Sequence, residues 1–410
     1  MTEPDWVRHA IWWHVYPLGF TGAEPGARPE VVHRLTHLEA WLEYAIRLGA
    51  SGLALGPIFA AETHGYDTVD HYRIDPRLGD ADDFARLVEA AHGRGLKVLL
   101  DGVFNHAGRS FTHPEWFRDT TFEGHDHLPV LDHDSPDVRD YVTDVMCHWL
   151  DAGADGWRLD AAYATPRPFW TDVLGRVRRR HPSAYLVGEV IHGDYAATVE
   201  ETGMHAVTQY ELWKAIWSSL GDRNLFELAW ALRRHNGYLE SFVPLTFVGN
   251  HDVTRIASLL PTERLLPHAL AVLFTVGGTP AVYYGDEQAF RGVKEERAGG
   301  DDAVRPEFPP DPADLAPWGA ATFRLHQDLI GLRRRHPWLH GARTTARELT
   351  NTAAVLDTTD GTHHLLTVLN LAETPAVLPV PQGEVLLGEV ERRGDTVVVP
   401  AFGWAVLSSP

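Results

Sequence analysis

The sequence contains one cysteine, too little positive charge to balance its acids, and no long uninterrupted hydrophobic run. Because Cys147 is alone among 410 residues, an intrachain disulfide is excluded. The 56 acidic side chains outnumber the 36 lysines and arginines, and the formal net charge of −20 argues against a nucleic acid or an anionic membrane as partner. The longest apolar stretch, residues 265–284, is interrupted by His268, Gly277, Gly278 and Pro280, so it is not expected to span a bilayer.

The first residues also lack a targeting signal. The stretch from Met1 to Trp6 has neither the basic segment nor the apolar run of a secretory leader, so we expect a cytoplasmic protein. A mature chain whose leader has been removed is the alternative, and the initiating methionine argues against it. With 44% apolar residues, the chain is long enough to bury a large core without a partner.

Short apolar segments alternate with longer segments of helical period over most of the chain. The predicted strands are 11–15, 52–55, 97–103, 156–160, 185–190, 206–208, 245–250 and 280–284. The predicted helices are 35–48, 81–94, 136–152, 167–180 and 321–335. This alternation is typical of βα units around a parallel sheet, and eight strands favour a closed (β/α)8 TIM barrel.

The last part of the chain has a different pattern. Valine- and threonine-rich runs, separated by glycine and proline, occur at 353–356, 364–369, 385–387 and 396–399 and predict a C-terminal antiparallel β-sandwich. We therefore expect a barrel over residues 1–340 and an all-β domain over 341–410. The polar segment 106–134 is predicted to be a short inserted loop domain after the third strand, at the end of the barrel where such enzymes carry their chemistry.

Acidic residues occur at or just beyond the ends of four predicted strands. These residues are Asp101, Asp160, Glu189 and Asp252. Because the carboxyl ends of parallel strands meet at one end of a barrel, we expect the side chains of these four acids to converge in one pocket. In such a pocket, charge repulsion and burial favour a pair in which one carboxyl group is neutral and the other is charged. Arg158 shares a strand face with Asp160 and would keep it anionic. Glycoside cleavage needs this combination, since one acid attacks the sugar and another protonates the departing oxygen.

Four of these segments also carry a resemblance to a known family. The segments are DGVFNH (101–106), GWRLDAA (156–162), VGEV (187–190) and FVGNHD (247–252). In order and strand placement they resemble the alpha-amylase superfamily of retaining glycosidases and transglycosidases. The resemblance implies that Asp160 is the nucleophile, that Glu189 is the general acid and then the base, and that Asp252 grips the ring hydroxyls of a distorted sugar.

The resemblance extends to residues that would bind the substrate. The segment HGYDTVD (64–70) looks like the part of the family that follows the second strand. Tyr66 would then be a stacking platform for the sugar at the cleaved position. Arg158, His106 and His251 would line the same subsite.

Two further charged residues predict how the pocket ends. In family members that act on short substrates, an aspartate after the stacking tyrosine and an arginine after the last catalytic acid pair and close the pocket behind the non-reducing sugar. Asp67 and Arg255 occupy those positions, so the resemblance implies such a pair here. The alternative is that each charge is only solvated.

No metal or other cofactor is predicted. The calcium of many amylases uses an asparagine that corresponds to Asn105, together with a histidine shortly after the nucleophile, but residues 162–164 read Ala-Tyr-Ala. The histidine- and aspartate-rich stretch 125–134 has a metal-like composition that also arises by chance. Calcium therefore stays in doubt at this point.

The resemblance implies a retaining α-glucoside hydrolase that cleaves α-1,4-linked gluco-oligosaccharides such as maltodextrins by double displacement. The alternative is an α-glucosyl transglycosylase or isomerase acting on a disaccharide such as maltose, trehalose or sucrose. A further alternative is a protein that is not an enzyme, namely a sugar-binding or transporter-accessory module. Such a module would be expected to have lost the catalytic acids, and this sequence retains all three. The expected partner is a small oligosaccharide, with no nucleic acid and no membrane, and the oligomeric state and the length of the substrate stay open.

Overall fold

The computed structural model describes residues 2–297 and 299–408. The described chain forms two compact units: one comprises the residues up to Thr208 together with Arg305–Ala316, and the other comprises Gln209–Val304 and the chain from Pro317 onward. The predicted domain boundary between residues 340 and 341 divides the chain differently from these two units, and it stays a prediction. Within the described residues, no helix has both the length and the hydrophobicity needed to cross a bilayer.

The first unit contains six parallel strands, and each coincides with a predicted segment. They are β1 (Trp12–Val15), β2 (Gly52–Leu55), β5 (Lys97–Gly102), β8 (Gly156–Leu159), β9 (Tyr185–Gly188) and β10 (Ala206–Val207). They are hydrogen-bonded in the order β10-β9-β8-β5-β2-β1. Two antiparallel hairpins lie outside this sheet: β3 (Phe59–Ala61) with β4 (Thr68–Ile74), and β6 (Phe117–Thr121) with β7 (Pro129–Leu131). The second hairpin belongs to the segment that was predicted to be a short insertion.

The helices of the first unit mostly agree with the predicted segments. They are α1 (Pro17–Phe20), α2 (Leu35–Ala40), α3 (Leu42–Leu48), α4 (Ala81–His92), α5 (Pro136–Asp151), α6 (Arg167–Arg180) and α7 (Tyr195–Thr202). The single helix predicted over 35–48 is divided at Trp41, whose ring is fully buried against Phe20 and Phe308 and whose Nε1 donates to the carbonyl of Pro309. Packing of this large side chain therefore overrides a continuous helical pattern.

The second unit contains the other two parallel strands, β11 (Leu245–Phe247) and β12 (Thr279–Tyr283), which pair with each other. Its helices are α8 (Tyr210–Gly221), α9 (Leu225–Tyr238), α10 (Ile256–Leu259), α11 (Leu266–Thr275) and α12 (Ala320–Arg335). Of these, only α12 was predicted. The described chain thus contains the eight predicted parallel strands, six in one unit and two in the other.

The C-terminal part of the second unit is an antiparallel sandwich. Its strands are β13 (Arg343–Leu349), β14 (Ala353–Thr359), β15 (His364–Asn370), β16 (Ala376–Pro379), β17 (Val385–Gly388), β18 (Glu391–Arg393), β19 (Thr396–Val399) and β20 (Trp404–Ser408). One sheet has the order β13-β14-β15-β20-β17 and the other has the order β16-β19-β18. Apolar side chains from both sheets, among them Val355, Val368, Leu378 and Val397, form one buried cluster. The alternating pattern of the sequence therefore predicted the sandwich correctly.

Six buried histidines make the stability of the fold depend on pH. Burial lowers the pKa of His71, His205, His235, His268 and His326 to about 4, and that of His106 to about 3, from the ordinary histidine value of about 6.5. Each is neutral in the folded protein above these values, but in the unfolded chain each takes up a proton once the pH falls below about 6.5. Their contribution to stability is therefore complete above about pH 6.5 and is lost as the pH falls toward 4.

We expect the thermal unfolding midpoint to fall steeply between pH 6.5 and pH 4. Each histidine should add to this fall, because the unfolded chain binds a proton at each of these positions that the folded protein does not bind. Calorimetry at constant ionic strength measures this dependence, and the His326→Gln variant should flatten it. A midpoint that stays constant from pH 7 to pH 4.5 would contradict this assignment.

A buried arginine completes the end of helix α11. The guanidinium of Arg333 donates to the carbonyls of Phe274, Val276 and Gly278, and burial lowers its pKa to about 10. These carbonyls lie at and beyond the helix C-terminus, where no helical N–H is available to them and where a cation is favoured.

We expect Arg333→Met to lower the stability of the fold by about 3 kcal/mol, because it leaves three buried carbonyls without donors. Arg335→Met is the matched control: Arg335 is exposed on the same helix, and its replacement should change stability by no more than about 0.5 kcal/mol. Thermal unfolding of the two variants measures the difference. Equal effects of the two substitutions would show that the hydrogen bonds of Arg333 contribute little.

Candidate active site

In the first unit, one buried arginine joins three carboxylates. Nη1 of Arg158 donates to both carboxylate oxygens of Asp101 at 2.6 Å and to Oδ1 of Asp160 at 3.1 Å. Nη2 donates to Oε1 of Glu189 at 2.6 Å. All four side chains are at most 11% exposed. The two acids predicted to be nucleophile and general acid are therefore held on one guanidinium group.

The register of three neighbouring strands produces this arrangement. Asp101 in β5 pairs with Arg158 in β8, and the last residues of β8 and β9 pair with each other. Asp160 and Glu189 are thus the first residues beyond two adjacent strands. Parallel strands place such positions at the same edge of the sheet, so residues far apart in sequence meet there.

The backbone after Asp160 turns so that it contacts Glu189. Ala161 has a φ of 45°, in the left-handed region, which costs a residue with a side chain roughly 1 kcal/mol. In this conformation its N–H donates to Oε2 of Glu189 at 3.1 Å. Because Arg158 binds Oε1, both oxygens of Glu189 accept hydrogen bonds.

The positive charge of Arg158 is stabilised by its attraction to the neighbouring carboxylates. Burial alone would lower the pKa of the Arg158 guanidinium, but the negative charges of Asp101 and Glu189 raise it well above its ordinary value. Arg158 is therefore a permanent cation among three acids. Its position neutralises part of the repulsion that would otherwise separate the carboxylates.

Tyr66 and His106 are linked to this cluster. Tyr66 Oη donates to Oδ2 of Asp101 at 3.0 Å. His106 donates from Nε2 to the carbonyl of Tyr66 at 3.1 Å and accepts at Nδ1 from the amide of Asn105 at 3.1 Å. Burial lowers the pKa of His106 to about 3, so the ring is neutral. Since both ring nitrogens are used inside the protein, His106 positions Tyr66.

Asp67 is buried beside Tyr66, and one of its two carboxylate oxygens accepts a hydrogen bond. Thr63 Oγ1 donates to Oδ2 of Asp67 at 2.5 Å, and the residue is 1% exposed. Oδ1 is buried and has no hydrogen-bond partner among the described residues. A buried carboxylate oxygen without a donor is costly, and the described residues do not supply a donor for this atom.

In the second unit, the segment after β11 holds Asp252 in a defined orientation. The N–H of Asp252 donates to Oδ1 of Asn250 at 2.9 Å, and the amide of Asn250 donates to Tyr210 Oη at 2.8 Å. Nε2 of the fully buried His251 lies 2.9 Å from Oδ2 of Asp252, and the Asp252 side chain is 32% exposed. His251 therefore orients a carboxylate that is partly open.

Arg255 forms its ion pair with Asp286, whereas Asp67 was its predicted partner. Its Nη1 donates to Oδ1 of Asp286 at 2.9 Å, its Nη2 donates to the carbonyl of Val304 at 2.9 Å, and the residue is 0% exposed. Burial raises the pKa of Asp286 to about 6, although Arg255 opposes this shift. A Cβ atom on Gly249 would lie 2.2 Å from Oδ2 of Asp286, so only glycine fits there. Arg255 is thus a positioning residue for the segment that carries Asp252.

Three residues in and near the segment 106–134 that offer oxygen atoms have hydrogen-bond or ion-pair partners within the protein. Oδ1 of Asn105 accepts from Thr165 Oγ1 at 3.3 Å. Asp132 and Asp134 both pair with Arg118. Asn105, Asp132 and Asp134 are thus each engaged by a donor of the protein.

One surface cluster in the first unit has the geometry of a metal site. His33, Asp80 and Asp83 bring three candidate ligand atoms together. However, Asp80 and Asp83 form a capping box at the start of α4, and His33 Nδ1 lies 2.6 Å from Oδ2 of Asp83. The helix cap accounts for this cluster.

The sequence analysis did not predict two cation–π contacts near Tyr66, which Arg305 makes with Tyr16 and with Tyr66 itself. Tyr16, just beyond β1, donates from Oη to the carbonyl of His64 at 2.7 Å, and burial raises its pKa to about 12. The guanidinium of Arg305 lies 4.7 Å from the ring centre of Tyr16 and 6.0 Å from that of Tyr66. The position after a strand could have identified Tyr16. No local signal connects it to Arg305, because almost 300 residues separate them.

Comparisons with known proteins show a family to which this chain is similar. The family model described as "Alpha amylase, catalytic domain" matches residues 35–126 and 111–308. A cyclomaltodextrinase of a Bacillus species is 29% identical over 347 residues, which are 70% of this chain and 61% of the relative. An intracellular maltogenic amylase of Bacillus subtilis is 27% identical over 338 residues, which are 71% of this chain and 57% of the relative. The chain thus spans about three fifths of the length of these curated relatives.

A solved structure supports the fold over the whole chain. The debranching enzyme of Nostoc punctiforme superposes with a TM-score of 0.83 at 25% identity, and each chain is covered to 100%. The predicted fold class, a (β/α)8 barrel with a C-terminal antiparallel β domain, is confirmed.

We expect Arg158→Met to destabilise the first unit by about 3 to 5 kcal/mol, because three buried carboxylates lose their shared cation. The loss should be larger at pH 8 than at pH 5, since protonation relieves repulsion between unpaired carboxylates. Thermal unfolding at the two pH values measures this difference. An equal loss at both values would mean that packing, and not charge, is what Arg158 contributes.

Proposed function

The chain belongs to the alpha-amylase family, and from that premise we propose that it is a retaining hydrolase of α-1,4-linked gluco-oligosaccharides such as maltodextrins. The observation that carries this proposal is the shared contact of Asp160 and Glu189 with the guanidinium of Arg158. A retaining mechanism needs two carboxyl groups close enough to act on one glycosidic bond. Two acids on a single guanidinium group meet that requirement. The names of the curated relatives support maltodextrins as the substrate class.

In the first step, Asp160 attacks the anomeric carbon while Glu189 gives its proton to the departing glycosidic oxygen. The ion pair with Arg158 keeps Asp160 anionic and therefore nucleophilic. Proton uptake by Glu189 weakens its contact with Arg158, and Asp101 keeps the guanidinium in place through two hydrogen bonds. Asp101 thus acts as a positioning residue.

In the second step, Glu189 takes a proton from water, the water oxygen bonds to the anomeric carbon, and Asp160 departs as a carboxylate. The two hydrogen bonds to Glu189, from Arg158 and from the Ala161 N–H, suit the anionic form that acts as base. Two displacements at one carbon retain its configuration.

The other predicted site residues take supporting roles in this proposal. Asp252 binds ring hydroxyls and favours the distorted sugar, a role supported by the family motif and by its partly open carboxylate. Tyr66 offers its ring to the apolar face of the sugar. Asp67 directly follows Tyr66 in the family segment and acts with it in substrate binding in this proposal. His251 and Arg255 hold the segment that carries Asp252.

A second candidate function is transfer of the glucosyl group to another sugar, by a transglycosylase or an isomerase. The same two acids perform either reaction, and the acceptor depends on how well water is excluded. We also propose a cytoplasmic location, which the intracellular maltogenic amylase among the relatives supports.

We expect Asp160→Asn to reduce maltoheptaose cleavage by at least about 10³-fold, because the nucleophile is lost. Glu189→Gln should reduce it by about 10² to 10⁴-fold, and by much less with a nitrophenyl glycoside whose leaving group needs no proton. Release of reducing sugar measures the first substrate, and nitrophenolate absorbance measures the second.

Asp134→Asn is the matched control, because Asp134 is an acid with an 80% exposed side chain that pairs with Arg118. Its activity should equal that of the unmodified protein. Nuclear magnetic resonance of the fresh product should show the α-anomer. Full activity of Asp160→Asn, or a β-anomeric product, would refute the proposed mechanism.

A further inference from the structure

Helix α9 of the second unit carries an exposed stripe that takes no part in the proposed function. The stripe consists of Phe226, Trp230, Arg233 and Gly237, and all four residues are exposed. Phe226 is 50% exposed and Trp230 is 54% exposed. Steps of four, three and four residues keep these positions on one face of a helix. We call these four residues the α9 stripe.

The other faces of α9 are packed inside the second unit. Its buried side chains include Leu228, Leu232 and Tyr238. Asn236 pairs with the backbone of β13, where its amide donates to the carbonyl of Thr344 at 2.8 Å and its Oδ1 accepts from the Thr344 N–H at 2.9 Å. These contacts hold the helix in place, and the α9 stripe is the face that it presents to solvent.

The ring of Trp230 is held in a fixed orientation. The guanidinium of Arg234 lies 5.2 Å from the ring centre. Arg234 in turn donates from Nε and Nη2 to the two carboxylate oxygens of Glu211 at 2.8 Å each, and from Nη2 to Tyr238 Oη at 2.9 Å. An exposed tryptophan that is held in this way loses little conformational entropy on binding, and tryptophan is among the residues that anchor protein interfaces.

Gly237 lies within α9, where glycine destabilises a helix relative to alanine. A Cβ atom built at this position would meet no other heavy atom within 4 Å in the described part of the chain. The packing of a single chain therefore does not require glycine at position 237. Glycine does allow a large group from another molecule to approach the helix closely.

The α9 stripe is complementary to a second copy of itself. When two copies of α9 pack antiparallel about a twofold axis between residues 231 and 232, Phe226 of each copy faces Gly237 of the other, and Trp230 faces Arg233. A large ring then covers a glycine, and a guanidinium group covers an indole ring. Arg233 is available for this contact, because it makes no ion pair among the residues that the structure describes. A twofold interface uses the same patch on both molecules, so each contact occurs twice.

Charges at the two ends of α9 agree with the same arrangement. Arg223 lies just before the helix and Glu240 lies just after it, and both are exposed. Each forms a surface ion pair within its own chain, Arg223 with Glu373 and Glu240 with Arg343. The antiparallel arrangement brings Arg223 of one copy to the end where Glu240 of the other copy lies, whereas a parallel arrangement would bring equal charges together. Opposite charges favour the antiparallel orientation.

We propose that two copies of this chain associate through the α9 stripe in this antiparallel arrangement. The interface involves none of the residues assigned to the proposed reaction, so its test does not depend on catalytic activity. A contact made mainly by one pair of helices lies at the low end of interface sizes, and we expect a reversible dimer with a dissociation constant on the order of 10 µM.

Sedimentation equilibrium from about 1 µM to about 200 µM protein, in about 0.15 M salt that screens the repulsion between two acidic chains, measures this association. The average mass should rise from that of one chain to that of two. Trp230→Ser should raise the dissociation constant at least about 30-fold, because an anchor is lost from both copies. Trp318→Ser is the matched control: Trp318 is 79% exposed in the same unit but lies outside α9, and its replacement should leave the constant unchanged.

Gly237→Leu separates association from folding. Leucine should stabilise α9 within a single chain, because it has a higher helix propensity than glycine. It should nevertheless raise the dissociation constant at least about tenfold, because it occupies the space that Phe226 of the second copy takes. Thermal unfolding at a low protein concentration measures the first effect, and sedimentation measures the second.

Introduced cysteines test the antiparallel arrangement. Cys147, the native cysteine, is buried and should not react. Under mild oxidation, a mixture of the Phe226→Cys and Gly237→Cys variants should form a disulfide-linked dimer. Neither variant should form one alone, because the two copies of position 226 lie about 16 Å apart along the helix pair.

An average mass that stays that of one chain at every concentration would overturn this inference. Equal effects of Trp230→Ser and Trp318→Ser, or cross-linking of one cysteine variant with itself, would also overturn it. Binding of maltoheptaose that Trp230→Ser removes, in a protein that keeps the mass of one chain, would assign the α9 stripe to a sugar ligand instead.

Discussion

The site of the first unit depends on the ion pairs of Arg158. Three carboxylates lie around one guanidinium group in a place that solvent hardly reaches, and without the cation they would repel each other. Asp101 accepts from Arg158 with both of its carboxylate oxygens, at 2.6 Å each, so it anchors the arginine. Asp160 accepts from the same Nη1 atom as Asp101, and Glu189 accepts from Nη2. Their separation is thereby set by the geometry of one side chain, whose planar fork lysine could not reproduce.

Buried arginines perform the same task elsewhere in the chain. Arg77 is fully buried, pairs with Asp75 and donates to backbone carbonyls of the first unit. In the second unit, Arg255 joins the segment after β11 to Asp286, and Arg333 completes the end of α11. Each of these guanidinium groups donates hydrogen bonds to several acceptors that would otherwise need water. They thereby hold irregular segments in place, where no sheet or helix provides hydrogen bonds.

The sequence predicted the strands well, because buried parallel strands are short apolar runs between polar segments. β2 occupies the residues that were predicted for it, and the acids beyond β8 and β9 were identified from their positions. Helix α11 escaped prediction because it is buried on all sides and has no polar face to reveal a helical period. The partner of Arg255 also could not be predicted, since Asp286 lies 31 residues away and only the fold brings the two together. The contact between Glu123 and Tyr163 spans 40 residues for the same reason.

The most direct test of the account is to trap the covalent intermediate. A fluorinated α-glucosyl fluoride should form the glycosyl enzyme quickly and hydrolyse slowly, because fluorine destabilises the oxocarbenium-like transition state while fluoride leaves readily. Digestion and mass spectrometry then locate the added sugar. One glucosyl group is expected on the peptide that contains Asp160. A label on a different residue, or turnover of the reagent without any labelled peptide, would contradict it.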